Sequence, residues 1–142
     1  MRVHHVDVAV RTTRKVEVHD VTEQVREAVR ASGVRQGMVL VSVPHTTCAL
    51  CVNENEAGLV SDLERLARDV LEPLTRSGGF AHDRVDDNAR AHLTSILLGS
   101  STMLPIEGGS PVLGTWQSVF LVELDGPRQR RLHVQVLGAQ AT

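Results

Sequence analysis

Aromatic residues are nearly absent from this chain of 142 residues, which contains one Trp, two Phe and no Tyr. Because proteins stack single-stranded nucleic acid on aromatic side chains, this scarcity argues against such a platform. The formal net charge of −2 likewise argues against a broad nucleic-acid-binding surface, while leaving room for a small basic pocket. We therefore expect no nucleic-acid partner.

Apolar runs long enough to span a bilayer are also lacking. The N-terminus enters an alternating strand pattern rather than the apolar segment of a signal peptide. These two absences predict a soluble, cytoplasmic protein with no membrane partner. A chain of this length is expected to form a single domain, residues 1–142, with a core of ordinary size.

Cysteine is scarce, since Cys48 and Cys51 are the only two and form one C-x-x-C pair. In an extended strand their side chains project to opposite faces, with Cα atoms roughly 10 Å apart. A disulfide needs a Cα separation of about 4.4 to 6.8 Å, and a second pair that would complete a zinc ribbon is missing. We predict two small buried residues rather than a redox or metal site.

Hydrophobic periodicity predicts an α+β chain with strands at both ends and two main helices in the middle. Residues 38–43 are apolar nearly throughout, which is typical of a strand covered on both faces. Asp20, with Glu23 three residues later, predicts a capped helix start, and Gly33 predicts its end. The remaining predicted elements are strands at 5–10 and 15–19 joined by a hairpin turn, a strand at 48–52, helices at 59–74 and 89–99, strands at 102–106 and 132–136, and one long or two short strands over 112–124.

An unusually polar stretch follows the strand predicted at 38–43. It carries His45, Thr46 and Thr47, and then Asn53 and Glu54 just before the long helix. The threonines suit either a turn or the binding of a phosphate or carboxylate. Amides and carboxylates suit a helix N-terminus, which explains one or two of the polar residues but not the whole set. We interpret this stretch as a functional site.

Three histidines differ in context from the other four, which lie in alternating strands. His45 ends a buried strand, His82 lies in a Gly-rich loop, and His92 lies within a helix. Three neutral imidazoles with one open position form a catalytic zinc-type ligand set, suited to Zn²⁺, Co²⁺ or Ni²⁺. Asp83, Glu54 or Glu56 could orient such a ligand. Separate core and surface roles for the three rings remain an open alternative.

Three arginines, Arg128, Arg130 and Arg131, follow a predicted turn at Gly126-Pro127. The simplest interpretation of the group is a solvated strand end. Arg128, beside the rigid turn, is the arginine that we assign to anion binding.

Several short motifs occur together in one order along the chain. The chain thereby resembles the YjbQ family, also called UPF0047 or the secondary thiamine-phosphate synthase family, over essentially its whole length. Cys48 and Cys51 depart from the small or apolar residues expected there. The motifs that carry the resemblance are His45-Thr46-Thr47, Asn53-Glu54, His82-Asp83, Asn88-Ala89 with His92-Leu93, Gly114-Thr115-Trp116-Gln117, and Glu123-Leu124-Asp125-Gly126-Pro127-Arg128.

This resemblance implies a compact α+β homotrimer that binds a divalent metal ion, zinc-like in its ligands, through His45, His82 and His92. It also implies a weak thiamine-phosphate synthase activity, which joins a pyrimidine pyrophosphate to a thiazole phosphate. From the residue chemistry we expect Thr46, Thr47, Asn53 and Arg128 to bind a small phosphorylated metabolite, and Glu54 or Asp83 to act as the catalytic base toward a metal-bound water. Pyrophosphate departure usually calls for Mg²⁺ held by carboxylates. We therefore retain two alternatives, a metal-dependent hydrolase or lyase and a non-catalytic trimeric binding module.

Overall fold

The computed structural model of the protein describes residues 1–140, which form two antiparallel sheets and four α-helices. A short 3-10 turn, Ala81–Arg84, precedes the last helix. This architecture confirms the predicted α+β class. The elements in chain order are β1 (Arg2–Arg11), β2 (Glu17–Asp20), α1 (Thr22–Ser32), β3 (Val34–Ser42), β4 (Cys48–Glu54), α2 (Ala57–Asp69), α3 (Glu72–Arg76), α4 (Ala89–Leu98), β5 (Ser101–Glu107), β6 (Ser110–Pro111), β7 (Gln117–Glu123) and β8 (Gln129–Gln140).

The first two strands belong to different sheets, so the predicted hairpin between them is wrong. Sheet A has the order β1-β8-β3-β5-β6 and sheet B the order β2-β7-β4. The connection crosses between the sheets at Thr12, whose N–H donates to the carbonyl of Arg128 instead of closing a turn. Alternation alone shows that a segment is a strand but not which strand it pairs with.

The main core lies between the inner face of sheet A and one face of sheet B. Val39 and Val134 from sheet A and Leu121 from sheet B are fully buried there. Helix α1 adds Val25 and Val29 to the same cluster. Burying a Val or Leu side chain contributes about 1.5 to 3 kcal/mol, so this layer dominates the stability of the fold.

Helix α1 begins and ends close to the predicted residues. Asp20 Oδ1 accepts from the N–H of Thr22 at 2.9 Å, which caps the first turn. Glu23 does not close the predicted capping box, because its carboxylate pairs with Arg26 one turn later. The helix ends at Gly33, whose φ of 72° is the left-handed conformation that glycine adopts most readily.

A second apolar cluster covers the other face of sheet B, where Ala67 of α2 and Ala91 of α4 pack against Phe120. Cys48 faces the main core and Cys51 packs against this second cluster. Both cysteines are free, and burial raises the pKa of the Cys48 thiol to about 12. The prediction of two buried residues is therefore confirmed for Cys48, whereas Cys51 is only half-buried.

The predicted strand at 38–43 is covered on one face only. Met38 is 48% exposed, while its neighbour Val39 is fully buried. The register aligns Met38 with Leu137 and Pro105, and Leu40 with Met103, on the outer face of sheet A. An apolar run thus marks this strand although its outer side chains meet no second layer in the described chain.

The long helix predicted at 59–74 is divided. Helix α2 ends at Asp69, and α3 begins at Glu72 with Pro73 in its first turn, as expected for a residue that cannot donate an intrahelical hydrogen bond. In the last third, only Gln117–Glu123 of the predicted strand at 112–124 is extended, and Trp116 before it is 73% exposed. None of the helices in residues 1–140 has the length and apolarity needed to cross a membrane.

Candidate functional site

A polar pocket of about 530 Å³ lies where the β3–β4 connection meets the start of β8 and the N-terminal half of α4. The β3–β4 connection reaches it because β3 and β4 lie in different sheets and the chain must cross between them. Among the described residues the pocket is lined by Pro44, His45, Thr46, Thr47, Asp86, Asn88, His92, Arg128 and Arg130.

A buried ion pair forms the floor of this region. Glu123 is fully buried and Arg130 is 6% exposed, and Nε of Arg130 donates to Oε1 of Glu123 at 2.9 Å. Burial opposes ionisation of both groups, but their mutual hydrogen bonds lower the pKa of Glu123 and raise that of Arg130. Nη2 of Arg130 also donates to Oγ1 of Thr47 at 2.8 Å. The Thr47 hydroxyl accepts this bond, so its own hydrogen is left to donate elsewhere.

A second carboxylate, Asp125, lies two residues further along the chain and accepts from three side chains. Lys15 Nζ donates to Oδ1 at 2.6 Å, and Asn88 Nδ2 and Arg128 Nη2 donate to Oδ2 at 3.0 and 3.1 Å. Burial disfavours the charged form, but these three donors outweigh it and lower the pKa of Asp125 to about 2. Asp125 is therefore an ionised acceptor at any pH at which the protein would work.

His45 is held in one tautomer. Its Nε2 accepts from the backbone N–H of Arg131 at 3.0 Å. A backbone N–H can only donate, so Nε2 carries the lone pair and Nδ1 carries the proton of the neutral ring. Partial burial and the charges of Arg130 and Arg131 lower the pKa of His45. The ring therefore stays neutral near pH 7 and offers an N–H from Nδ1.

His82 and His92 lie side by side. Their ring centroids are 4.8 Å apart, with the planes at 80°. Nε2 of His82 donates to Oδ1 of Asn88 at 3.0 Å. His92 lines the pocket beside His45, and Asn88 links His82 to the same pocket. His82 and His92 are therefore neighbours, and His92 shares the pocket with His45, whereas His82 itself does not line the pocket.

The predicted metal centre fits this arrangement only in part. Among residues 1–140, no three His, Cys, Asp or Glu side chains form a group that could hold a metal ion. His82 has the expected character of a ligand, because one ring nitrogen is anchored by Asn88. His45 does not fit, because its lone-pair nitrogen already accepts from Arg131. A three-imidazole centre therefore requires His45 to give up that hydrogen bond.

The predicted catalytic carboxylates occupy other positions. Asp83 Oδ1 accepts from the N–H of Ala89 at 3.2 Å and thereby caps α4. Glu54 lies at the far end of β4 from the pocket, about 20 Å away along an extended strand. Together with Asn53 it lines a separate groove of about 290 Å³ beside α2. Of the predicted substrate-binding residues, Thr46, Thr47 and Arg128 line the polar pocket and Asn53 does not.

Sequence reasoning missed the importance of Arg130, which it interpreted as part of a solvated strand end. The alternation of inward and outward side chains along β8 could have identified Arg130 as buried. Arg130 alternates in step with Leu132 and Val134, both fully buried, whereas Arg131 is on the outer face. Asn88 and Asp125 were noticed only as parts of motifs, and their linkage across 37 residues is not visible in any local pattern.

An α+β sandwich with a polar pocket at one end of its sheets is the class that the fold and site define. The sequence profile described as UPF0047 protein YjbQ-like matches residues 6–139, and the chain belongs to this family. A UPF0047 protein of Methanothermobacter thermautotrophicus is 44% identical over 97% of this chain and 94% of its own length. A UPF0047 protein of Archaeoglobus fulgidus is 45% identical over 92% of this chain and 99% of its own.

Solved structures agree with this assignment. The crystal structure of a YbjQ-like protein of unknown function from Sulfolobus solfataricus P2 matches with a TM-score of 0.91 and 42% identity, covering 97% of this chain and 99% of that one. A hypothetical protein from Aeropyrum pernix K1 matches with a TM-score of 0.88 and 40% identity, covering 95% and 98%. The family resemblance inferred from the motifs is therefore confirmed, and these names assign no activity.

Proposed function

We propose that the protein is an enzyme that acts on a small phosphorylated metabolite and binds its phosphate in the polar pocket. The observation that carries this proposal is the convergence of Thr46, Arg128 and a neutral His45 on one open cavity of about 530 Å³. Hydroxyls, guanidinium groups and imidazole N–H groups are the donors that bind phosphate oxygens.

Arg128 is the pocket cation best able to meet a ligand. Its side chain is 52% exposed, whereas that of Arg130 is 5% exposed and turned toward Glu123. Nε and Nη2 of Arg128 are held by Asp125, which fixes the plane of the guanidinium. Within residues 1–140, Nη1 has no hydrogen-bond partner. Arg128 is therefore oriented and still has donors for an anion.

The more specific proposal is the reaction that the family resemblance implies, in which a thiazole phosphate attacks a pyrimidine pyrophosphate and pyrophosphate leaves. His45 would donate from Nδ1 to a phosphate oxygen without changing its own charge, since its pKa is lowered. Arg128 would neutralise charge on the departing pyrophosphate. The positions of Glu54 and Asp83 give neither carboxylate this task.

Calorimetric titration with hydroxyethylthiazole phosphate, followed by an assay for thiamine phosphate, tests both levels of this proposal. We expect binding, and a loss of affinity in Arg128→Gln, while Arg26→Gln on α1 serves as a matched surface control. Release of inorganic phosphate or pyrophosphate without coupling would favour the hydrolase alternative. Binding without turnover would favour a binding module, and no binding would contradict the proposal.

We also propose that the protein binds a divalent metal ion, but with fewer histidine ligands in place than the three predicted. Nδ1 of His82, with His92 beside it, is the donor set that the described chain offers, and a third ligand must come from a displaced His45, the substrate or another subunit. Elemental analysis of protein purified without chelator, compared with His82→Ala, tests this proposal. A stoichiometric Zn²⁺, Co²⁺ or Ni²⁺ that is lost in His82→Ala would support it. Metal-free protein with full activity would contradict it.

The homotrimer also stays a proposal, supported by the outer face of sheet A. Val3 is 59% exposed and Met103 56% exposed, and they lie on the same face as Met38. Monomers seldom leave such contiguous apolar surface uncovered. Sedimentation analysis should give three times the monomer mass, and Met38→Asp should dissociate the assembly.

A further inference from the structure

One hydrogen-bonded chain runs from a buried carboxylate to the pocket histidines. Asp125 is 6% exposed and Asn88 is 9% exposed. Asn88 Nδ2 donates to Asp125 Oδ2 at 3.0 Å, and Asn88 Oδ1 lies 3.0 Å from Nε2 of His82. The His82 ring packs edge-to-face against the His92 ring, with their centroids 4.8 Å apart. The proposed phosphate-binding role uses Asp125 only to orient Arg128, and it leaves Asn88 and His82 unused.

The direction of each bond in this chain follows from elementary donor and acceptor chemistry. An ionised Asp125 can only accept, so the Asn88 atom that faces it must be the NH₂ group. Asn88 therefore presents its carbonyl oxygen to His82. A carbonyl oxygen can only accept, so Nε2 of His82 must carry a proton. In neutral His82 the lone pair is then on Nδ1.

We propose that Asp125 is a positioning residue that acts through Asn88 to fix His82 as the Nε2–H tautomer, so that the lone pair of the neutral ring stays on Nδ1. His45 is fixed in the opposite sense, with its lone pair on Nε2 facing Arg131 and its proton on Nδ1. The two rings are thus fixed in opposite tautomers: Nδ1 of His82 is a hydrogen-bond acceptor, and Nδ1 of His45 is a hydrogen-bond donor. This assignment of tautomers does not rest on the proposed function.

The other contacts of Asp125 make it a suitable anchor. Lys15 Nζ lies 2.6 Å from Oδ1 and Arg128 Nη2 lies 3.1 Å from Oδ2. The His82 end is anchored as well, since its carbonyl accepts from the N–H groups of Val85 and Asp86. Both ends of the chain are therefore held, and Asn88 spans the gap between them.

Nitrogen-15 NMR of the imidazole rings in the full-length protein tests the proposal. Spectra recorded over a pH series identify the range in which the His82 ring is neutral, and protonated and bare ring nitrogens resonate in separate regions of the spectrum. Wild-type His82 is expected to show a proton on Nε2 and none on Nδ1. In Asp125→Ala the Nδ1–H form should rise from undetectable to a measurable fraction, because Asn88 is then free to rotate.

Two further variants make the test decisive. In Asp125→Ala, Lys15 and Arg128 lose their carboxylate partner, but their side chains are 55% and 52% exposed and water can solvate them. We therefore expect this variant to fold, and thermal melting checks it. If that variant does not fold, Asn88→Ala is expected to give the same mixed tautomer. Asp87→Ala, an exposed neighbour, is the matched control and should leave His82 unchanged.

A wild-type His82 protonated on Nδ1 would overturn the proposal, and so would a folded Asp125→Ala or Asn88→Ala with an unaltered tautomer. This outcome is separable from the proposed function. A fixed tautomer with no affinity for hydroxyethylthiazole phosphate would remove the ligand and keep the positioning chain. If wild-type protein binds hydroxyethylthiazole phosphate but His82 is a mixture of tautomers, the proposed function stands and the positioning role of Asp125 is wrong.

Discussion

Two carboxylate–arginine pairs lie next to each other at the pocket and differ in burial. Glu123 and Arg130 have side chains 0% and 5% exposed, whereas Asp125 and Arg128 have side chains 6% and 52% exposed. The first pair joins β7 to β8 beneath the pocket, and the second carries one cation out to solvent. The comparison shows that arginines two residues apart can have opposite surroundings, because strand geometry turns Arg130 inward and a turn leaves Arg128 at the surface of the pocket.

The largest expected effect comes from breaking the buried pair. Arg130→Gln leaves Glu123 charged, buried and without its main partner, which should cost about 3 to 5 kcal/mol of unfolding free energy. Urea denaturation of Arg130→Gln against Arg131→Gln measures this cost. Arg131 is on the outer face, so its substitution should change stability by less than about 0.5 kcal/mol. Equal losses in the two variants would contradict the division of roles.

Arg128→Gln should show the complementary behaviour. A charge-assisted hydrogen bond contributes about 1.5 to 3 kcal/mol, so affinity for hydroxyethylthiazole phosphate should fall roughly tenfold to a hundredfold. Unfolding free energy should change by about 1 kcal/mol or less, because one partner is half exposed. Calorimetry and denaturation on the same preparation check both. A stability loss as large as that of Arg130→Gln would remove the contrast.

The unfolding free energy at acid pH should depend on the ionisation of Asp125. Its pKa in the folded protein is about 2, below the ordinary value of 3.8. The stabilisation is therefore complete above about pH 4 and is lost as pH falls toward about 2, and it amounts to at most about 2 kcal/mol. Denaturation midpoints of wild type and Asp125→Ala should converge at the acid end. A difference that stays constant across this window would contradict the assignment.

The smallest expected effect comes from the residue that connects the two pairs. Thr12 Oγ1 donates to Glu123 Oε1 at 2.6 Å and accepts from the N–H of Arg128 at 2.8 Å. Thr12→Val keeps the shape and removes both bonds, which should cost about 1 to 2 kcal/mol. Thr115→Val, at an exposed turn position, is the control for loss of a hydroxyl. The test would fail if the two variants were equally stable.

Local patterns predicted much of the fold, because helices and strands are encoded by nearby residues. Gly33 ends α1 where expected, and β4 is extended through both cysteines. The pairing of β1 with β8 joins residues more than a hundred positions apart, and no local pattern encodes it. The hairpin predicted in its place was therefore wrong.

The site was predictable to the extent that motif residues lie where two sheets meet. His45, Thr46 and Arg128, which the sequence analysis singles out separately, line one pocket. Glu54 was grouped with them because it is nearby in sequence, but β4 begins at Cys48 beside the pocket and ends at Glu54, away from it. Asn88 and Asp125 could not be found from sequence, because their roles depend on a single contact between distant segments.

A crystal structure of the protein with hydroxyethylthiazole phosphate tests the central claim most directly. The phosphate is predicted to lie within hydrogen-bond distance of Arg128 and Thr46, with Nδ1 of His45 as a further donor. A phosphate bound instead in the groove beside Glu54, or a polar pocket without ligand at saturating concentration, would contradict it.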